Sequence, residues 1–353
     1  MKGSILSRVE LSNWRRLAGW GLGAILLIIV AFYGSRAVFS DSNAPVRLVV
    51  YAFSTQEEVL TQSILPAFEA AWEAETGRDL TIEAVFGPSG TLAGQINLGA
   101  PADVALLSNE QHVNWLKIGR RVERQSQPWV ISATPMVIVT RPGNPAGIAD
   151  FADLAQPGLR LLHADPRSSG AGDWAVLAEY GSALLETRDP EAAAEQLKAI
   201  SGNVRLVAPS ARATLTLFEL GAGDAMITYE QDARLAMARG VPLEIVIPRR
   251  TILAYHVAVL VDANLTPPER PVARAFISYL LSEAGQQALC SYHLRPADLE
   301  SADFPALAQP FTVDELGGWS SAYSELVENL WQTQVEPRLD LEAPPGLLDT
   351  RGE

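Results

Sequence analysis

From residue 46 onward, short apolar runs recur with little polar alternation, and each gives way to a segment with helical spacing. The runs lie at 46–53, 80–86, 104–107, 136–140, 159–163, 204–207, 225–229, 243–247 and 257–261, and Val, Ile and Leu dominate them. A strand that faces water on one side alternates polar and apolar residues, whereas one covered on both faces does not. Between the runs, Leu60, Ile64, Phe68 and Trp72 repeat every four residues, and Trp174, Leu177, Tyr180 and Leu184 recur at three and four. This pattern predicts an α/β architecture of mostly parallel sheets flanked by helices. Pro66 predicts a kink or break in the first helix. With 353 residues and 48% hydrophobic content, the chain has material for about two folded domains. Near the end, Trp319, Tyr323, Leu326 and Leu330 mark a packing helix, and residues 337–353 read as a flexible acidic tail.

The first 45 residues have a different character. Lys2, Arg8, Arg15 and Arg16 against Glu10 leave a positive balance before an uncharged stretch from Leu17 to Tyr33. Basic residues stay on the cytoplasmic side of a membrane, so the rest of the chain is expected outside it. The stretch is long for a signal-peptide core and short for a membrane span, so cleaved signal and retained anchor both stay open. No cysteine follows it, which excludes a lipoprotein anchor.

Charge and chemistry narrow the function. The formal net charge is −14, opposite to the basic face that a general nucleic-acid binder needs. The single cysteine, Cys290, allows neither an internal disulfide nor a cysteine-cluster metal site. His112, His163, His256 and His293 are scattered without metal-ligand spacing, and neither a Gly-x-Ser-x-Gly elbow nor a phosphate-binding Walker motif occurs. The residues thus predict no enzyme, no metal and no cofactor.

The loops after the strands share one chemistry. Ser54-Thr55-Gln56-Glu57 follows the first run, and Gly87-Pro88-Ser89-Gly90-Thr91 the second. The residues Asp165 through Trp174 (DPRSSGAGDW) and Pro209-Ser210-Ala211-Arg212-Ala213-Thr214 follow later ones. Small hydroxyl and glycine residues let backbone N–H groups approach a ligand, and a helix N-terminus adds partial positive charge. Any one of these is an ordinary helix cap. Four converging loops would form an anion site without a lysine or arginine touching the anion.

These segments carry a resemblance. The run Asn144-Pro145-Ala146-Gly147-Ile148, with Asp150 through Leu154 and Pro157-Gly158, is similar to bacterial periplasmic oxyanion-binding proteins. The segment around Ser168-Ser169-Gly170, with Ser210 through Thr214, Gly223-Asp224, Tyr229-Glu230 and the distal Gly317-Gly318-Trp319, resembles the sulfate/thiosulfate-binding family. The likeness runs from about Val46 to Trp331.

The resemblance implies the solute-binding component of an ABC importer, working with permease and ATPase subunits as an extracytoplasmic monomer. It implies a two-lobed periplasmic-binding-protein fold, crossed twice by the chain. Residues 46–133 would begin lobe 1, 134–250 would form lobe 2, and 251–336 would return to lobe 1 and end in the C-terminal helix. The ligand would be sulfate, thiosulfate or a related tetrahedral oxyanion. Carried over by position, Ser169 supplies a hydroxyl, and Gly170, Ala171, Ser89 and Ala211 supply N–H groups, with Gly90 beside them. The family's indole position falls on Tyr229, and its first-loop aspartate falls on Phe53, next to Ser54 and Thr55. Arg212 braces a helix terminus behind the ligand. The same superfamily leaves three alternatives: molybdate or tungstate, ferric ion held by Tyr229 and Tyr255 with His256 or Glu230, and a membrane-anchored ligand sensor.

Overall fold

The computed structural model describes residues 45–298 and 304–342. The basic and apolar N-terminal segment lies outside them. Among the described residues no helix is long and apolar enough to cross a membrane.

The first lobe opens with β1 (Val46–Phe53), followed by irregular helical turns and helix α1 (Leu65–Thr76). Pro66 falls in the first turn of α1, behind a π-helical stretch at Leu60–Ile64, so its missing N–H interrupts no regular ladder. Then come β2 (Leu80–Gly87), α2 (Ser89–Asn97), β3 (Val104–Leu107) and α3 (Glu110–Ile118). Strand β4 (Trp129–Thr140) leads into the second lobe. That lobe contains β5 (Leu161–Ala164), α4 (Gly170–Thr187), α5 (Pro190–Ser201) and β6 (Val204–Ala208). It continues through α6 (Ala211–Glu219), β7 (Ala225–Tyr229), α7 (Glu230–Ala238) and β8 (Glu244–Val246). Strand β9 (Arg250–Leu260) returns to the first lobe, which adds α8 (Glu269–Leu280) and α9 (Glu283–Ser291). A short β10 (Gln309–Phe311) and α10 (Gly318–Ala322), prolonged by a π-helix over Tyr323–Val335, end the fold.

The strands pair in the order β2-β1-β3-β9-β4-β7-β5-β6. Within each lobe the β1–β2, β1–β3, β5–β6 and β5–β7 pairs are parallel. The joining strands are antiparallel: β9 to β3 and β4, and β4 to β7 and β8. The sheets are therefore mixed rather than mostly parallel. A chain that leaves a lobe and comes back must supply strands of opposite direction, and an apolar run does not disclose its direction. Strand β4 changes partner midway: Trp129–Pro135 ladders with β9, and Met136 onward ladders with β7. Pro135 sits at this changeover, where a ladder donor is least needed.

The C-terminal helix corrects the expected chain path. Trp319, Tyr323, Leu326, Leu330 and Trp331 pack in one core cluster with Trp174, Leu177, Leu197 and Val204 of the second lobe. Phe311 joins that cluster and abuts Gly181 of α4. After Arg295, which pairs with Ala133 of β4, the chain therefore crosses between the lobes a third time, back to the second lobe. The apolar stripe was visible in the sequence, but periodicity does not say which lobe it covers. Residues 339–342 also stay docked, since Glu342 N donates to Arg205 O at 2.7 Å and its carboxylate pairs with Arg160. The tail expected from 337 is thus held as far as Glu342.

Candidate functional site

Six strand ends meet between the lobes. After β1, Phe53 leads into a 3₁₀ turn at Ser54–Gln56. Pro88 precedes the first turn of α2, and Asn109 caps α3 by accepting from His112 N. Ser169 caps α4 by accepting from Ala171 N at 3.2 Å, and Ser210 caps α6 by accepting from Ala213 N at 3.1 Å. Tyr229 stands at the start of α7. Each loop is short, so each helix begins where its strand stops, and the N-termini point into one space.

The cavity there is small, about 10 Å³, far below the several hundred cubic ångströms of pockets for drug-sized molecules. It is lined by Phe53, Ser54, Thr55, Pro88, Ser89, Ser108, Ser169, Gly170, Ala171, Ser210, Ala211 and Tyr229. None of these side chains is charged. Three hydroxyls in the lining are buried: Thr55 Oγ1 has no hydrogen-bond partner, and Ser108 Oγ and Tyr229 Oη have only each other nearby. A buried hydroxyl left unpaired costs about 1–3 kcal/mol, and under-used hydroxyls around one small space describe a site suited to a polar guest. Burial pushes the Tyr229 phenol well above its usual range, so it stays neutral.

Charge reaches the pocket only through the backbone. Arg212 Nε donates to Ser54 O at 3.3 Å, the carbonyl of the peptide group that carries the Thr55 N–H. Its guanidinium also lies 3.3 Å from Glu58, which pairs with Arg239 at 2.6 Å. On the opposite side, Trp174 Nε1 donates to Ser108 O at 2.8 Å, and Asn109 Nδ2 donates to Asp173 at 2.9 Å. Both sets of contacts join the first lobe to the second, so the lobes are closed over the pocket.

The structure gathers Phe53, Ser54, Thr55, Ser89, Ser169, Gly170, Ala171, Ala211 and Tyr229 around this space, with Arg212 behind it. Gly90 is the exception. Its N–H donates to Ser168 O at 2.9 Å, and an added Cβ would meet that same oxygen at 2.9 Å, so it belongs to the lobe–lobe seam. Ser108 was missed by sequence reasoning. It follows the run 104–107 directly and precedes a capped helix, the same pattern as the four loops recognised. Tyr255 is outside the lining, and among the described residues no group of three His, Cys, Asp or Glu could hold a metal ion.

Residues 48–295 match the family model described as bacterial extracellular solute-binding protein. The chain belongs to that family. The sulfate-binding protein of Salmonella typhimurium is 32% identical over 332 residues, covering 88% of this chain and 96% of the relative. The thiosulfate-binding protein of Pseudomonas aeruginosa is 29% identical over 249 residues, covering 67% and 74%. Among solved structures, the sulfate-binding protein of Mycobacterium tuberculosis H37Rv superposes with a TM-score of 0.72 at 26% identity, covering 79% of this chain and 99% of that one. The likeness to sulfate- and thiosulfate-binding proteins read from the motifs is therefore real, and the two-lobed binding-protein fold is shared.

Proposed function

We propose that this solute-binding protein delivers sulfate, thiosulfate or a related tetrahedral oxyanion to an ABC importer. The observation that carries the reading is a small pocket between the lobes lined by helix N-termini and buried hydroxyls, with no charged side chain in its wall. The relatives' names support the same ligand class. Sulfate stays ionised near neutral pH and presents only acceptor oxygens, so a donor-lined space leaves none of its oxygens facing another acceptor. Backbone N–H groups and helix termini balance its charge without a buried salt bridge.

In this reading Ser169 and Tyr229 donate hydroxyls, and Ser89, Gly170, Ala171 and Ala211 face the anion from helix termini. Thr55 and Ser54 close the pocket from the first lobe, beside the Phe53 ring. The chain acts outside the cytoplasmic membrane as a monomer, reaching it by way of its N-terminal segment as signal or anchor, and hands its ligand to permease and ATPase subunits. The role is binding rather than catalysis. Tyr255, the second phenol of the ferric alternative, is outside the pocket lining, which favours an oxyanion. Calorimetric titration with sulfate, thiosulfate, molybdate, tungstate and phosphate tests the reading. Saturable 1:1 binding of a sulfur oxyanion supports it, while a coloured, iron-loaded protein indifferent to all five would refute it.

A further inference from the structure

Behind Ser89 lies a chain of buried groups that the pocket itself does not explain. Ser89 Oγ is 2.8 Å from His112 Nδ1 and accepts the Ser108 N–H at 3.0 Å. His112 Nε2 faces Asp173 Oδ2 at 3.4 Å, and that oxygen also accepts from Asn109 at 2.9 Å. All three side chains are buried, and Asp173 comes from the second lobe while Ser89 and His112 come from the first. The chain is complete only when the lobes are closed.

We propose that binding of the oxyanion takes up one proton, held by the His112–Asp173 pair, which turns the Ser89 hydroxyl into a donor toward the pocket. This rests on the oxyanion reading above. In one arrangement Ser89 donates to His112 Nδ1, Nε2–H points at an Asp173 carboxylate, and a lone pair of Ser89 faces the pocket. An anion there is repelled. In the other, Nδ1–H donates to Ser89, so both Ser89 lone pairs are occupied and its O–H turns to the anion. Nε2 and Asp173 Oδ2 then need a proton between them, whichever atom holds it. The second arrangement carries one proton more than the first.

The surroundings favour that proton. Burial raises the Asp173 carboxyl well above its usual range, with Asn109 opposing, and Asp165 on the same loop raises it further. Tyr229 at the end of β7 and Tyr323 on the C-terminal helix are the other titratable groups that feel Asp173. Among the described residues Asp173 makes no ion pair with a lysine or arginine. The Trp115 ring packs on His112, 4.6 Å between centroids, and burial holds the imidazole down to about 3, so the pair settles as neutral histidine and carboxylic acid. Opening the lobes parts Asp173 from His112 and returns its carboxyl to water, where it ionises.

The sign follows from a closed-state carboxyl that is raised. At neutral pH the open protein binds fewer protons than the closed one, so binding takes up a proton and weakens as pH rises. Sulfate titrations of the full chain at pH 7, in buffers of differing ionisation enthalpy, read the count directly. The expected slope is close to one proton per sulfate, with Kd rising up to about tenfold per pH unit above neutrality. Asp173→Asn should abolish the slope and flatten the pH profile. A normal sulfate heat with no buffer dependence in the parent overturns the proposal while leaving the oxyanion reading intact. So does a variant that keeps the parent's slope. If the variant does not fold, the parent's slope alone decides. Absence of any heat in every buffer instead refutes the oxyanion reading, and this proposal with it.

Discussion

Gly170→Ala is the substitution whose effect the geometry specifies most sharply. A Cβ at Gly170 would lie 1.6 Å from Ser108 Oγ, 2.9 Å from Ser108 Cβ and 3.0 Å from Asn109 Nδ2. The hydroxyl can rotate away, but the Cβ moves only with its backbone, so the two helix termini must separate. Gly170 belongs to the second lobe and Ser108 to the first, so the strain falls on the closed state alone. Overpacking of this kind costs about 1–3 kcal/mol, which corresponds to about a 5- to 150-fold loss of affinity. The open lobes feel no such clash, and alanine is the better helix residue by up to about 1 kcal/mol. The melting temperature without ligand should therefore stay level or rise slightly while sulfate binding weakens. Calorimetry and thermal denaturation on the same sample measure both. Parental affinity in the variant would refute the closed geometry; weakened binding with a large drop in melting temperature would show a folding defect instead.

Tyr229→Phe removes a buried hydroxyl whose one protein neighbour for hydrogen bonding is Ser108. It should leave the unliganded melting temperature unchanged or higher, and weaken sulfate by about 1.5–3 kcal/mol, since that hydrogen bond is to a charged group. Ser169→Ala should cost a similar one to two decades in Kd, measured by the same titration. Arg212→Ala, at a partly exposed pair, should change Kd less than about fivefold, because such pairs contribute about 0–1 kcal/mol. Burial raises buried Asp232 to about 7, with Arg212 opposing. Its folded pKa exceeds its unfolded one, so its contribution is complete below the unfolded value and is lost as pH rises toward and through 7. Chemical denaturation from about pH 4.5 to 7.5 should show this contribution falling and then levelling off above 7, and Asp232→Asn should reduce that slope.

Much of this was legible in the residues because strand ends and helix starts carry local signals. Ser169 and Ser210 lie in loops that read as helix starts opening on a ligand, and both residues cap helices there. Tyr229 was located by the resemblance, whose indole position falls on it, and it stands at the start of a helix. Long-range relations were not legible. The antiparallel direction of β4 and β9 and the docking of the C-terminal helix on the second lobe depend on which surfaces meet. Ser108, His112 and Asp173 come together only by juxtaposition, 65 residues apart for Ser108 and Asp173 in the chain. Gly90 looked like its neighbour Ser89, yet its N–H faces the opposite lobe rather than the pocket.

The central claim is that this protein closes its two lobes over a single dehydrated oxyanion. Small-angle scattering of the full chain during a sulfate titration, with calorimetry on the same preparation, tests both halves of it. The account predicts one sulfate per chain and a decrease in radius of gyration that saturates at the same stoichiometry. Binding without compaction, or no binding of sulfate, thiosulfate, molybdate or tungstate at millimolar concentration, would contradict it.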